Sequence, residues 1–131
     1  MDYSKFLDFH NNGIHEISPF KERIPELIIF SEKVNFRNYL FDSPICSKSE
    51  LLNQFYTKCK FPNWFGFNWD ALLDSLSDET LGTSNGYIFI MLHSSETKGN
   101  LGDDFDMFKD VFLEASNRWR ARQVSFNLLL A

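Results

Sequence analysis

Three short apolar runs, separated by segments with helical periodicity, most strongly limit how this chain can fold. The runs are NYLFD, YIFIML and SFNLLL, in chain order. Between them lie SKSELLNQFYTKC, NWDALLDSLS and DDFDMFKDVFLEASNRW, where apolar residues recur at helical spacing. Strands that alternate with helices usually pair in parallel through crossover connections. The sequence therefore predicts a small α/β domain with a core sheet of three parallel strands.

Residues 1–35 are harder to assign. Asp2 to Phe9 could form a short helix, and ELIIF, at 26–30, has the apolar, β-branched character of a strand. This run is too apolar to stay in water. We therefore expect residues 1–35 to form an N-terminal extension packed on a domain of residues 36–131, where it adds a strand or covers an edge of the core.

The composition is that of a soluble globular protein. Of the 131 residues, 44% are hydrophobic and 24% charged, enough for one domain with a sizeable core. No run has the length of a membrane-spanning helix, and the N-terminus lacks the basic and apolar regions of a signal peptide. Cys46 and Cys59 are too few for a disulfide framework and should be buried apolar side chains. These features predict a reduced, cytoplasmic protein.

No motif points to a cofactor, a metal or catalysis. The sequence contains no P-loop, dinucleotide fingerprint or nucleophile elbow. His10 and His15 are five residues apart, a poor spacing for one helix face, and His93 follows a predicted strand. Surface or loop positions suit these histidines better than metal ligation. We expect no cofactor, no metal site and no catalytic residues.

The charge is unevenly distributed along the chain. The net charge is -5, but residues 61–117 carry ten acids and two bases, whereas residues 118–131 carry three arginines and no acid. Those arginines, in RWRAR, are expected to solvate the end of the last helix, where cations suit the helix dipole. An acidic centre argues against a nucleic-acid ligand and fits a basic protein partner.

The segment FPNWFGFNWDALLDSLSD combines bulky rings with evenly spaced acids. Asp70 and Asp74 share one face of a predicted helix, and Asp78 extends that face if the helix continues. Leu72 and Leu76 lie on the opposite face, toward the core. The five aromatic residues of the preceding turn cannot all point inward, and we expect Trp64 to be exposed beside the acids.

Three interpretations are compatible with this pattern alone. The rings could be core and the acids a solvated helix face, which on composition is the commoner case. Asp70 and Asp74 could be an acid–base pair of the glycosidase type, although an exposed helix face seldom provides the cleft and divergent pKa values required. The third is a protein-binding surface, an aromatic anchor ringed by carboxylates, whose partner the pattern alone does not identify.

The same segment resembles the binding segment of the barstar-like proteins, intracellular inhibitors of ribonucleases. The matching positions are Phe61, Pro62, Trp64, Phe65, Gly66, Asn68, Trp69, Asp70, Ala71, Leu72 and Asp74. VFLEA, at 111–115, is similar to part of the family's last helix and places Glu114 at its acidic contact position. The resemblance covers about residues 36–131.

The resemblance implies a three-layered domain with a three-stranded parallel sheet and about four helices. It also implies an immunity protein that blocks the active site of a basic ribonuclease toxin, monomeric alone and a 1:1 heterodimer with the toxin. The implied contact residues are Trp64, Phe65, Gly66, Asn68, Trp69, Asp70, Leu73, Asp74, Asp78 and Glu114. Leu73 and Glu79 replace aromatic residues of the founding inhibitor, which predicts a contact surface shaped for a different nuclease.

Overall fold

Four parallel strands form the sheet, one more than the sequence predicts. The computed structural model describes residues 3–17, 23–78, 81 and 84–131. The strands are β1 (Gly13–Glu16), β2 (Arg37–Phe41), β3 (Gly86–Met91) and β4 (Ser125–Leu130). Their order across the sheet is β1-β4-β3-β2, and all neighbours run parallel. The three apolar runs are confirmed as β2, β3 and β4.

The additional strand, β1, comes from the N-terminal extension. It pairs with β4, with Ile14 opposite Leu128 and Glu16 opposite Leu130. The strand is only four residues long and contains His15 and Glu16, so it lacks the apolar character by which the other strands are recognised. The prediction of three strands was therefore wrong by one edge strand.

Within the described residues, five α-helices and two short 3-10 helices surround the sheet. The α-helices are α1 (Ile24–Lys33), α2 (Lys48–Lys58), α3 (Trp69–Ser77), α4 (Ser94–Leu101) and α5 (Asp103–Ala121). The 3-10 helices are Ser4–Leu7 and Phe9–Asn11, where a short helix was predicted. The predictions for α2, α3 and α5 are confirmed. α4 was not predicted, because it contains Gly99 and buries only Ser94, Thr97 and Leu101.

The run ELIIF lies in α1, so its assignment as a strand was wrong. Pro25 lies in the first turn of α1, where proline is tolerated because the missing N–H has no helical partner. Ile24, Leu27 and Ser31 form the buried stripe, whereas Ile29 is 53% exposed. Local β-branched character was overridden by the packing of one helical face on the sheet.

Helices on both faces bury the two central strands completely. On one face, Phe89 and Phe126 pack with Phe55, Phe108 and Phe112 from α2 and α5. The other face carries Ile88, Ile90 and Leu129, covered by Leu27 of α1 and by Phe6. A parallel sheet covered on both faces requires near-continuous apolar strands, as β3 and β4 show. None of the helices in the described ranges is long and apolar enough to cross a membrane.

Gly86, the first residue of β3, leaves no space for a side chain. A Cβ atom there would lie 2.7 Å from Cε1 and Cζ of Phe36, and that ring is buried among the residues under α1. Gly86→Ala should therefore lower the free energy of unfolding by about 1–3 kcal/mol, the usual cost of overpacking. Thermal and urea unfolding of the purified variant measure the change.

Gly99→Ala is the matched control for this prediction. Nothing lies within 4 Å of a Cβ added at Gly99, and alanine favours a helix over glycine by about 1 kcal/mol. The control should melt at the same temperature as the parent protein or higher. If Gly86→Ala also melted no earlier than the parent, the tight contact with Phe36 would be wrong.

Candidate protein-binding site

Helix α3 presents Asp70 and Asp74 to solvent from a well-anchored backbone. The side chain of Asn68 caps the helix, since its Oδ1 accepts a hydrogen bond from the backbone N–H of Ala71 at 2.8 Å. Leu72 and Leu76 are fully buried on the inner face, and both aspartates are exposed. The spacing of the acids therefore gives the expected geometry, two carboxylates on the outer face of one rigid helix.

A side chain of α5 and the side chain of its C-cap, Arg122, bind the end of α3. The indole Nε1–H of Trp119 donates to the carbonyl of Leu76 at 2.7 Å. The guanidinium of Arg122 donates to the carbonyl of Ser77 and lies over the Trp119 ring, 4.6 Å from its centroid. These bonds satisfy carbonyls that a helix end leaves unpaired, and they fix α3 against α5.

The loop before α3 divides its rings between core and solvent. Phe61 and Phe65 are buried, with ring centroids 5.1 Å apart. Trp64 is 73% exposed and Phe67 45% exposed, which confirms the expectation for Trp64. Phe65 is only 4% exposed, and its ring supports the loop from beneath, so its predicted role as a contact residue stays a prediction.

The backbone of the loop turns sharply just before the helix. Phe67 has φ 50°, a left-handed conformation that is unfavourable for a bulky residue. Its ring is held by Tyr56 and Phe65, at centroid distances of 5.1 and 4.9 Å. A Cβ on Gly66 would approach Nδ2 of Asn68 to 3.2 Å, so glycine suits this position. Strain of this kind occurs where the surrounding packing enforces a particular surface.

A cleft of about 150 Å³ separates the loop from α3. Its walls are formed by Trp64, Phe65, Gly66, Ala71, Asp74, Ser75 and Asp78. Asp78 is the C-cap of α3 in an extended conformation, so the helix ends before Asp78 and the predicted stripe of three acids continues only as far as Asp74. The cleft nevertheless places two carboxylates beside the exposed indole, an arrangement suited to a cationic side chain.

Glu114 of α5 is connected to α3 through Arg118. Arg118 Nε lies 3.6 Å from Glu114 Oε1, and its Nη1 lies 3.8 Å from Asp74 Oδ1. The side chains are 40% exposed for Arg118, 54% for Glu114 and 80% for Asp74. From the sequence, this arginine was expected only to solvate the end of the helix. The four-residue spacing from Glu114 could have indicated the first pair, but the second depends on how α5 packs on α3.

Trp69 and Leu73 occupy the boundary between the acidic face and the core. Both are half-buried and pack against the core cluster. The ammonium of Lys48 lies 5.1 Å from the centroid of the Trp69 ring. A second cleft of about 350 Å³ lies nearby, lined by Lys48, Phe67 and Asp104 among others. The role of Trp69 and Leu73 as contacts stays a prediction, and Glu79 lies outside the described residues.

Histidines and cysteines are scattered through the fold. His10 pairs with Asp8 at 2.7 Å. His15 is hydrogen-bonded to Asn127 at 2.8 Å, and burial lowers its pKa below the ordinary 6.5. Cys59 is buried, and burial raises the pKa of its thiol, whereas Cys46 is exposed, against expectation. Within the described residues, no group of three or more His, Cys, Asp or Glu side chains could hold a metal ion.

Comparison with known protein families gives one match. Residues 40–131 match the model of the family described as Barstar (barnase inhibitor). The matched region includes the loop, α3, the cleft and α5, and it begins after β1 and α1. No curated protein matches the chain.

Proposed function

Since the chain belongs to the Barstar family over more than half of its length, we propose that it is an inhibitor, and not an enzyme, that blocks the active site of a basic ribonuclease. The observation that carries the proposal is the cleft in which Trp64 stands beside the carboxylates of Asp74 and Asp78. Asp70 lies one turn from Asp74 on the same helix. Together they form an aromatic anchor with carboxylates around it, the composition of a protein-binding hot spot.

The chemistry of a ribonuclease site complements this surface. Such a site holds RNA phosphates with lysine, arginine and histidine side chains, which form charge-assisted hydrogen bonds to anionic oxygens. Carboxylates on the outer face of α3 can take the positions of those phosphates. A nuclease cannot hydrolyse these carboxylate side chains, so its active site would stay blocked without turnover.

Rigidity supports binding by this face. The cap at Asn68 and the bond from Trp119 to Leu76 hold α3 in place before any partner arrives. A surface that is already ordered loses little conformational entropy on binding. The local charge between residues 61 and 117, ten acids against two bases, should also steer a basic protein toward this face, and more strongly at low salt.

The biological setting that we propose is immunity in the bacterial cytoplasm. The protein would protect its producer from a ribonuclease toxin, as a monomer that forms a 1:1 complex with the toxin. The substitutions at Leu73 and Glu79 would shape the contact surface for that toxin.

Inhibition of barnase, the ribonuclease named in the family's description, tests the proposal directly. RNA hydrolysis by a fixed amount of barnase is followed while the protein is titrated in. Activity should fall to zero at one equivalent, and the protein alone should hydrolyse no RNA. Trp64→Ala should raise the inhibition constant about thirtyfold, the equivalent of roughly 2 kcal/mol for an aromatic hot spot.

Leu7→Ala is the matched control for the aromatic variant. Leu7 is also a large exposed apolar residue, 49% accessible, but it lies in the N-terminal 3-10 helix. This variant should inhibit as well as the parent. Undiminished RNA hydrolysis by a panel of basic ribonucleases that includes barnase, at a tenfold excess of the protein, would overturn the proposal, and binding without inhibition would favour a general interaction module.

A further inference from the structure

Arg118 places a positive charge inside the acidic surface that is proposed to receive a basic partner. Its guanidinium lies between the carboxylates of Asp74 and Glu114, with contacts of 3.8 and 3.6 Å. These two carboxylates come from different helices, α3 and α5, so their shared counter-ion is a product of the fold. The ion pair of Arg118 with Asp74 joins α5 to α3.

Both contacts of Arg118 are too long for hydrogen bonds and are only partly shielded from water. Hydrogen bonds between nitrogen and a carboxylate oxygen are usually about 2.7–2.9 Å, and exposed ion pairs add little stability because water screens them. The arginine is therefore poorly explained as a structural clamp. By contrast, Trp119 and Arg122 bind carbonyls of α3 directly, and they hold the two helices together without it.

A partner's cation that binds Asp74 or Glu114 comes close to the positive charge of Arg118, whose guanidinium lies 3.8 and 3.6 Å from the two carboxylates. The cation must either displace the guanidinium or accept a position where attraction and repulsion partly cancel. Asp70, one turn earlier on α3, forms no ion pair with Arg118. The acidic surface therefore has two parts, Asp70 without this counter-ion, and Asp74 and Glu114 with one positive charge shared between two carboxylates.

We infer that Arg118 is a specificity-determining residue, an internal counter-ion that competes with a partner's cations for Asp74 and Glu114. The inference rests on the proposal that this face receives a basic partner. It predicts weak binding for basic proteins and peptides whose cations are not placed to match this surface. A partner fits best when it directs a cation at Asp70 and either displaces Arg118 or meets it with an acceptor.

The probe for this inference is a hexa-arginine peptide, so that no nuclease is required. Its affinity is measured by calorimetry at low salt for the parent protein, Arg118→Met and Arg118→Lys. Arg118→Met should bind about two- to fivefold more tightly, the affinity equivalent of removing an exposed ion pair. Arg118→Lys keeps the competing charge and should bind like the parent.

Lys33→Met controls for the change in net charge. Lys33 is exposed at the end of α1, a helix that covers the other face of the sheet. The Lys33→Met substitution removes the same charge as Arg118→Met but should change the affinity for the peptide by less. In a background with Asp74→Asn and Glu114→Gln, Arg118→Met should have no greater effect than Lys33→Met, because the contested carboxylates are gone.

The outcomes separate this inference from the proposed function. If Arg118→Met and Lys33→Met increase the affinity equally, or if the effect of Arg118→Met persists without the two carboxylates, the competition is overturned. Thermal melting of each variant excludes a folding effect. Inhibition of the ribonuclease panel by the parent protein tests the proposed function separately, whichever way the peptide experiment turns out.

Discussion

Asp74→Ala should weaken binding to an inhibited ribonuclease by about 2–5 kcal/mol, the general range for removing one partner of a buried charge pair in a protein complex. In the free protein the carboxylate is 80% exposed. In the complex it would be enclosed at the cleft with a cation of the nuclease. The variant would leave that cation buried without a counter-charge, which costs more than the pair itself contributes.

The same substitution should change the stability of the free protein very little. Asp74 gains from its exposed contact with Arg118, a pair worth about 0.2–1 kcal/mol. It loses from repulsion with Asp70 at four-residue spacing, about 0.2–0.5 kcal/mol. The two effects nearly cancel, so the melting temperature should stay close to that of the parent. Weaker binding with unchanged stability is the signature of a functional surface.

Glu32→Ala provides the charge-matched comparison. Glu32 is exposed on α1, on the other face of the sheet from α3. Inhibition constants and melting curves are measured for the parent and both variants. If Asp74→Ala melted earlier and yet inhibited as well as Glu32→Ala, the acidic face would be structural and the assignment of the interface wrong.

The parts of the fold that the sequence predicted are those with a strong local pattern. β3 and β4 are fully buried on both faces, so their apolar runs are unbroken. β1 has no such pattern, because an edge strand with His15 and Glu16 is recognisable only through its pairing with β4. In α1, a run with β-branched residues was assigned as a strand, because the buried stripe of this helix is defined by the sheet on which it packs.

The candidate site divides in the same way. Helical spacing was enough to predict that Asp70 and Asp74 lie together on the outer face. The crowding of rings around Gly66 was enough to predict that one ring, Trp64, is exposed. The burial of Phe65 could not be predicted, because it depends on the path of the loop over α2. The contact between Arg118 and Asp74 could not be predicted either, because the two residues are 44 apart in sequence and meet only through the packing of α5 on α3.

Asn12 is the residue that most directly joins the N-terminal extension to the rest of the fold. It is buried, and its Nδ2–H donates to the carbonyl of Val124 at 2.8 Å and to that of Ser116 at 3.3 Å. Its Oδ1 accepts a bond from the backbone N–H of Phe126 at 2.9 Å. One side chain therefore satisfies backbone groups of both α5 and β4.

Asn12→Ala should lower the free energy of unfolding by about 3–5 kcal/mol. The alanine methyl cannot replace any of the three hydrogen bonds, and each buried backbone group left without a partner costs about 1–3 kcal/mol. The total falls below the simple sum if water enters the vacated space. Urea unfolding, followed by circular dichroism, measures the loss.

Asn11→Ala is the control, because the neighbouring asparagine is exposed and its side-chain Nδ2–H donates to the carbonyl of Lys5 at 3.0 Å. This variant should lose less than about 1 kcal/mol, the net value of a single exposed hydrogen bond. A large loss for Asn12→Ala beside a small one for Asn11→Ala would show that the N-terminal extension is integral to the fold. If both variants unfolded at the same urea concentration as the parent, the domain would be stable without the Asn12 bonds, and the packing of residues 1–35 on residues 36–131 would contribute little to it.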